Sequence, residues 1–388
     1  MATIDRVEIH EFAYEAENLG LEGASMNIGF APGSRVRLSK YAIVLRTNEG
    51  ATGEYVALWG ASGGSLGQAL ALAPRLVGAD PEDREAIFDD LKRDIRQTDH
   101  MGHGPLDIAL WDLAGKRAGM SVAALLGRYR RRLPAYASTY HGDRNGGLDS
   151  AAAFVEFAAR CRDVGYRAFK IHGWHDGDAR EEAANVTAVA KAHGDAMTLM
   201  LDPACELRTF ADALYVGQAC DDAGYFWYED PFRDGGTSAH AHRKLRERLR
   251  TPLLMTEHVR GIEPKADFVL AGGTDFLRAD PEYDMGITGC MKIAHLAEAL
   301  GLDVEIHASG PAHRACMAAI RNTNFYEVAL VGPDCPNALP PVYACGYTDE
   351  LDCIDADGCV PVPDGPGLGV TYDWDFIRRG LARTHVFE

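Results

Sequence analysis

The stretch RAFKIHGW, residues 167–174, decides how the rest of the chain reads. It is an apolar run broken at alternate positions by Lys170 and His172, and on a β-strand residues two apart share a face. Both titratable groups therefore look into one space. In a packed core each would carry a desolvation penalty; at the mouth of a site their proton affinities become working parts. A stretch of helix length follows, then another short apolar run, and the alternation extends in both directions.

Eight such runs occur: LPAYAS (133–138), RAFKIH (167–172), MTLMLD (197–202), YFWYED (225–230), LLMTEH (253–258), DFLRAD (275–280), DVEIHA (303–308) and FYEVAL (325–330). Eight strands with amphipathic stretches between them are what a parallel β/α barrel requires. The repetition is of pattern only, without a sequence repeat. Upstream, strands are expected over 3–15, 36–47 and 51–57, with a hairpin turn in RTNEGATGE (46–54), and helices over 64–76, 81–95 and 105–118. That region is α+β. From about Pro341 the chain turns loop-rich, and VPVPDGPGLGV (360–370) reads as a connector.

The 388 residues accommodate a barrel of about 250 residues plus a smaller domain. A formal net charge of −18 argues against nucleic acid and anionic membrane as partners, since both are bound through clustered Lys and Arg. The dense basic run RYRRR (128–132) reads as solvated surface. Nine cysteines, at 161, 205, 220, 290, 316, 335, 345, 353 and 359, form no CxxC pair, which suggests free thiols in a reducing compartment. The N-terminal residues show no signal core, and no apolar stretch approaches the ~20 residues of a spanning helix, so a cytoplasmic location is expected.

Nearly every barrel run finishes in a group able to bind a metal or move a proton: Ser138, Lys170 with His172, Asp202, Glu229, Glu257, Asp280, His307 and Glu327. Singly, such an acid is commonly the first polar residue of a loop or a helix cap. Together, at the carboxyl ends of barrel strands, they would converge on one mouth. Asp202, Glu229 and Glu257 end three consecutive runs, and three close carboxylates cannot all stay ionised without a cation; an all-oxygen set suits Mg²⁺. No His or Cys of zinc-like spacing accompanies them, and Cys205 reads as a loop thiol. Asp280 and His307, on successive runs, can pair, the carboxylate fixing the imidazole tautomer. Base, metal and acid in that order suit removal of a proton next to a carboxylate.

ALWDLAGKRAG (109–119), YEDPF (228–232), RADPEYDMGITG (278–289) and VPDGPGLGV (362–370) resemble the enolase superfamily, and within it the mandelate racemase-like group, over nearly the whole chain. That resemblance implies an α/β fold: a modified TIM barrel, (β/α)7β, with an α+β capping domain. The expected boundaries are 1–130 for the capping domain, 131–340 for the barrel and 341–388 for a C-terminal segment that completes the cap. It implies Asp202, Glu229 and Glu257 as Mg²⁺ ligands, Asp280 and His307 as a catalytic dyad, and Glu327 as a carboxylic acid that hydrogen-bonds the substrate carboxylate. Ser138 and Lys170 would contact that carboxylate too. The group typically carries Lys-x-Lys on the second barrel strand, whereas here His172 takes the second place. His258 could take part in substrate binding, since Ala204 stands where some members carry a polar residue. Glu15, Glu17 and Glu22 are placed in the first capping loop, and His141 and Arg144 in TYHGDR (139–144) are further substrate contacts to consider. The resemblance also implies a homo-oligomer.

The function expected is an Mg²⁺-dependent dehydratase of an acid sugar, giving a 2-keto-3-deoxy acid. The alternative is a racemase or epimerase of a 2-hydroxy acid, or a cycloisomerase of a sugar lactone. A hydride-shifting sugar isomerase in an unrelated barrel would need a second metal. A barrel that binds its ligand without turnover would show no C2–H exchange.

Overall fold

Alternating apolar and polar residues drive the N-terminal region into a long hairpin. In the computed structural model, which describes residues 2–22, 27–58, 63–233 and 235–388, β1 (Ile4–Glu22) and β2 (Asn27–Thr47) pair antiparallel from Ile4↔Thr47 to Glu22↔Asn27. β3 (Thr52–Val56) adds to β2. Three helices, α1 (Gly63–Leu72), α2 (Arg84–Asp94) and α3 (His103–Ala118), follow before a single turn, α4 (Val122–Leu125). The three expected strands are present, the first two longer than expected, so Glu15 and Glu17 lie on β1 itself rather than in a loop, and Glu17 pairs with Arg35 on the exposed face. The side chain of Glu22 lies outside the described residues.

α3 seats directly on the backbone of β3, because Gly53 has no Cβ. One added there would stand 2.3 Å from the Ala109 carbonyl oxygen and 2.6 Å from the Leu113 Cβ. Backbone of a buried helix cannot move aside cheaply, so Gly53→Ala is expected to destabilise the protein by about 1–3 kcal/mol, read as a lower chemical-denaturation midpoint.

The eight apolar runs all become strands: β4 (Arg132–Thr139), β5 (Ala168–His172), β6 (Thr198–Asp202), β7 (Trp227–Glu229), β8 (Leu253–Met255), β9 (Phe276–Ala279), β10 (Asp303–Ile306) and β11 (Tyr326–Val331). Between them lie α5 (Ala151–Val164), α6 (Ala179–His193), α7 (Phe210–Ala223), α8 (Ala239–Arg246), α9 (Ile262–Leu270), α10 (Gly286–Ala299) and α11 (Pro311–Ala319). Neighbouring strands run parallel in the order β10-β9-β8-β7-β6-β5-β4-β11. The β10 and β11 ends of this path are joined by side chains: Ser309 Oγ donates to the Glu327 carbonyl at 2.8 Å and Gly310 N donates to the Tyr326 hydroxyl at 2.7 Å. The strands are apolar on both faces, as helices outside and packed side chains inside demand; every residue of β5, β7, β8 and β11 is buried. Ser150, Asp178, Thr209 and Ser238 cap the helices that follow β4 to β7, accepting from the first-turn amides left open there.

The chain after residue 340 divides between the two sheets. β12 (Cys359–Pro361) pairs antiparallel with β4 of the barrel, whereas β13 (Leu381–Phe387), after α12 (Trp374–Arg379), pairs with β1 of the cap. The basic run at 128–132 is not merely solvated. Arg128 and Arg131 pair with Asp364, Arg132 with Asp355 and Asp357, and Arg130 donates to the carbonyls of Ile320, Arg321 and Thr323. All nine cysteines are free thiols, and among the described residues no helix is long and apolar enough to cross a membrane.

Candidate active site

Two cations lie under the mouth of the barrel. Lys170, on β5, is buried, its Nζ 2.9 Å from Glu229 Oε2, 3.0 Å from Glu327 Oε1 and 3.4 Å from Asp202 Oδ2. Burial alone would discharge the amine, but Glu229 and Glu327 outweigh it and hold its pKa well above the usual lysine value. These neighbours favour the charged form of Lys170. Arg278, on β9, is the second cation: Nε lies 2.8 Å from Glu229 Oε1, and Nη2 donates to Glu327 Oε2 at 2.6 Å and to the Tyr136 hydroxyl at 3.0 Å.

Glu327 takes the other side of this network. Its Oε1 accepts from Ser138 Oγ at 2.7 Å, and its Oε2 also accepts from Ala308 N at 2.7 Å. Burial favours its neutral form, yet Lys170 and Arg278 prevail and hold the carboxyl well below its usual range. Its surroundings favour the carboxylate form. Glu327 also stands near the start of β11 rather than at its end. Ser138 is fully buried, with its hydroxyl spent on Glu327.

Asp202 ends β6 and Glu229 ends β7, but Glu257 stands two residues beyond β8, where Thr256 leaves the strand with φ +92°. Asp202 accepts from Ala204 N at 2.7 Å; Glu257 Oε1 lies 3.4 Å from His307 Nε2. Beside them Asp230, buried, has no hydrogen bond to either carboxylate oxygen among the described residues. Burial and the charges of Glu257, Asp202 and Glu229 push Asp230 well above the carboxylate range, and burial pushes Glu229 up as well. So many acids gathered at one mouth are a donor set for a divalent cation, and oxygen donors fit Mg²⁺. Asp202, Glu229 and Glu257 do not bring three carboxylate oxygens within 4.8 Å of one another: Lys170 and Arg278 hold Glu229, and Glu257 faces His307. Among the described residues, the one group of three or more such donors lying within 4.8 Å of one another is Cys205, Asp230 and His258.

The two histidines stand on opposite sides of the barrel, since β5 and β10 are separated by β6 to β9 one way and by β4 and β11 the other. His172 Nδ1 meets the Thr139 carbonyl at 2.7 Å, which places the proton on that nitrogen, and its Nε2 is 3.2 Å from Asp202 Oδ2. His307, just past β10, has Nδ1 2.6 Å from Asp280 Oδ2, and Tyr283 stacks on its ring. Burial lowers the His307 pKa, but Glu257 and the hydrogen-bonded Asp280 overcome it and raise it to about 9. Asp280, despite burial, is held below its usual range by His307 and His313, and its Oδ1 accepts from Glu282 N at 2.6 Å. Asp284 accepts from Asp280 N at 3.0 Å and is itself 3.0 Å from the buried Lys265 ammonium, so the dyad rests on a second ion pair.

His258, half-exposed, turns Nε2 toward Asp230 at 3.5 Å and Glu257 at 3.7 Å. His141 packs on His172 with ring centroids 5.0 Å apart; burial lowers its pKa to about 3, so it is neutral. Arg144 faces away: it is bound to Glu181 and Asp176 and lies over Trp174. Arg278 and Asp230 escaped the sequence reading, although Arg278 sits two residues before Asp280 and period-two alternation aims it inward.

The sequence matches the profile described as enolase C-terminal domain-like over residues 153–376 and that of the mandelate racemase / muconate lactonizing enzyme N-terminal domain over residues 27–127. It is 28% identical over 321 residues to D-galactarolactone cycloisomerase of Agrobacterium fabrum, covering 78% of this chain and 81% of that one. It is 29% identical over 261 residues to L-talarate/galactarate dehydratase of Salmonella typhimurium, covering 66% and 64%. The crystal structure of D-glucarate dehydratase from Agrobacterium tumefaciens, complexed with magnesium, superposes with a TM-score of 0.86 at 27% identity, over 98% of this chain and 99% of that one.

Proposed function

We propose that this chain, which belongs to the mandelate racemase/muconate lactonizing enzyme family of the enolase superfamily, is an Mg²⁺-dependent dehydratase of a sugar acid. The observation that carries the reading is the pair of histidines on opposite sides of the barrel, each with one ring nitrogen fixed and the other against a carboxylate of the acidic cluster. The similarity to sugar-acid dehydratases supports the substrate class.

Asp202, Glu229 and Glu257 would hold the cation, which when bound supplies electrostatic stabilisation to the charge that develops on the substrate carboxylate. Lys170 adds a permanent positive charge beside it, kept in place by Glu327 and standing over the Tyr136 ring. His307 Nε2 takes the proton from C2. Asp280 would hold the ring through Nδ1 while this happens, leaving Nε2 as the nitrogen that meets the proton. His172 Nε2, from the other side, delivers a proton to the departing 3-hydroxyl. The C3–O bond breaks, water leaves, and the enol takes a proton at C3 to give the 2-keto-3-deoxy acid.

Incubating a panel of aldonic, aldaric and uronic acids with enzyme and Mg²⁺ in D₂O, with mass spectrometry of the products, tests this directly. A product lighter by one water is expected. Deuterium gained at C2 without loss of water would replace dehydration by racemisation or epimerisation, and a lactone consumed by isomerisation would favour the activity named for the Agrobacterium fabrum relative.

A further inference from the structure

The loops after β6, β7 and β8 bring three different donor atoms together: Cys205 Sγ, a carboxylate oxygen of Asp230 and an imidazole nitrogen of His258 all lie within 4.8 Å of one another. None is an expected Mg²⁺ ligand. Each follows one closely along the chain, Asp230 after Glu229, His258 after Glu257, and Cys205 three positions past Asp202.

Asp230 supplies the independent observation. It is 2% exposed, and among the described residues neither carboxylate oxygen accepts a hydrogen bond; the His258 ring, with Nε2 at 3.5 Å, stands beside it. A buried carboxylate left without hydrogen bonds is costly. The side chain calls for positive charge that the described cations do not provide, since Lys170 and Arg278 are committed to Glu229 and Glu327.

Main-chain contacts hold the donors in position. Cys205 N donates to the Asp230 carbonyl at 2.8 Å, Leu207 N to the Pro231 carbonyl at 3.2 Å, and Arg233 N to the Leu207 carbonyl at 3.0 Å. These bonds lace the loops after β6 and β7 into one unit. His258, 36% exposed at its side chain, leaves a path from solvent.

We propose that Cys205, Asp230 and His258 form a second cation site, beside the Mg²⁺ ligands, selective for a borderline divalent ion such as Zn²⁺ or Co²⁺. Donor chemistry sets the selectivity. Mg²⁺ prefers oxygen and reluctantly sheds its waters, whereas thiolate and imidazole favour the softer ions. Three protein donors leave a coordination position for water. On binding, the Cys205 thiol gives its proton to solvent and the thiolate joins the cation, so uptake releases protons and strengthens with rising pH. The site stands whatever acid the enzyme turns over.

The test is a Co²⁺ titration of the full-length protein in saturating Mg²⁺, followed by near-ultraviolet absorption. A thiolate-to-cobalt charge-transfer band is expected, displaced by Zn²⁺ but not by further Mg²⁺. Co²⁺ on the oxygen ligands gives no such band, so the two sites report separately. Cys205→Ser should abolish the band, and His258→Ala should weaken Co²⁺ binding at least ten-fold. As a second measure, Zn²⁺ should raise the wild-type thermal midpoint in saturating Mg²⁺ and leave that of the Cys205→Ser variant unmoved. Absence of the band in the wild type, or its survival in Cys205→Ser, would overturn the proposal.

Discussion

Replacing His307 with Asn is expected to lower kcat by roughly three to four orders of magnitude while leaving the fold intact. The amide of Asn is suited to donating to Asp280 as His307 Nδ1 now does at 2.6 Å, so the buried carboxylate keeps a partner and the loop after β9 keeps its shape. What disappears is Nε2, the nitrogen proposed to take the C2 proton. Deuterium uptake at C2 should fall together with water loss, because both follow from the same proton removal. Steady-state kinetics and a solvent-exchange assay on one preparation make the comparison. A His307→Asn enzyme that exchanged its C2 proton at the wild-type rate would assign that step to another group.

Arg278→Met should produce the largest loss of stability. Arg278 is fully buried between two acids, with Glu229 Oε1 2.8 Å and Glu327 Oε2 2.6 Å away. Removing one partner of a buried ion pair strands the other charge in a medium that cannot solvate it, at about 3–5 kcal/mol. Methionine fills much of the volume, so the loss is electrostatic in origin and not a cavity effect. Chemical denaturation should show the midpoint fall, and the double variant Arg278→Met/Glu327→Gln should recover part of it by removing the stranded charge. A single variant as stable as wild type would mean that Lys170 alone balances both carboxylates.

Much of this architecture was legible in the sequence, and the reasons are physical. The eight barrel strands were visible because each is buried on both faces and reads as a short apolar run, a signal that does not depend on what it packs against. The dyad was visible for a related reason: Asp280 and His307 each follow a strand end, and β9 and β10 are neighbours. Partnerships between distant elements were not visible. Nothing local in RAFKIH shows that Lys170 will be shared by three acids from β6, β7 and β11, and nothing in FYEVAL shows that Glu327 will meet two cations. The strand ends were blurred too, as β8 stops at Met255 while its apolar run invites an extension toward Glu257. Cys205, Asp230 and His258 have no sequence spacing that signals a site, because three separate loops must fold before their side chains meet.

The supports of the two histidines differ in kind, and this bears on how the enzyme can drift over generations. The His172 ring is oriented by the main-chain carbonyl of Thr139, a group present whichever residue the gene encodes there. The His307 ring depends on the Asp280 side chain, which a single base change converts to Asn. One half of the machinery is thus buffered against point mutation at its support and the other is exposed to it. Lineages descending from such a protein would more readily lose or repurpose the His307 function than the orientation of His172.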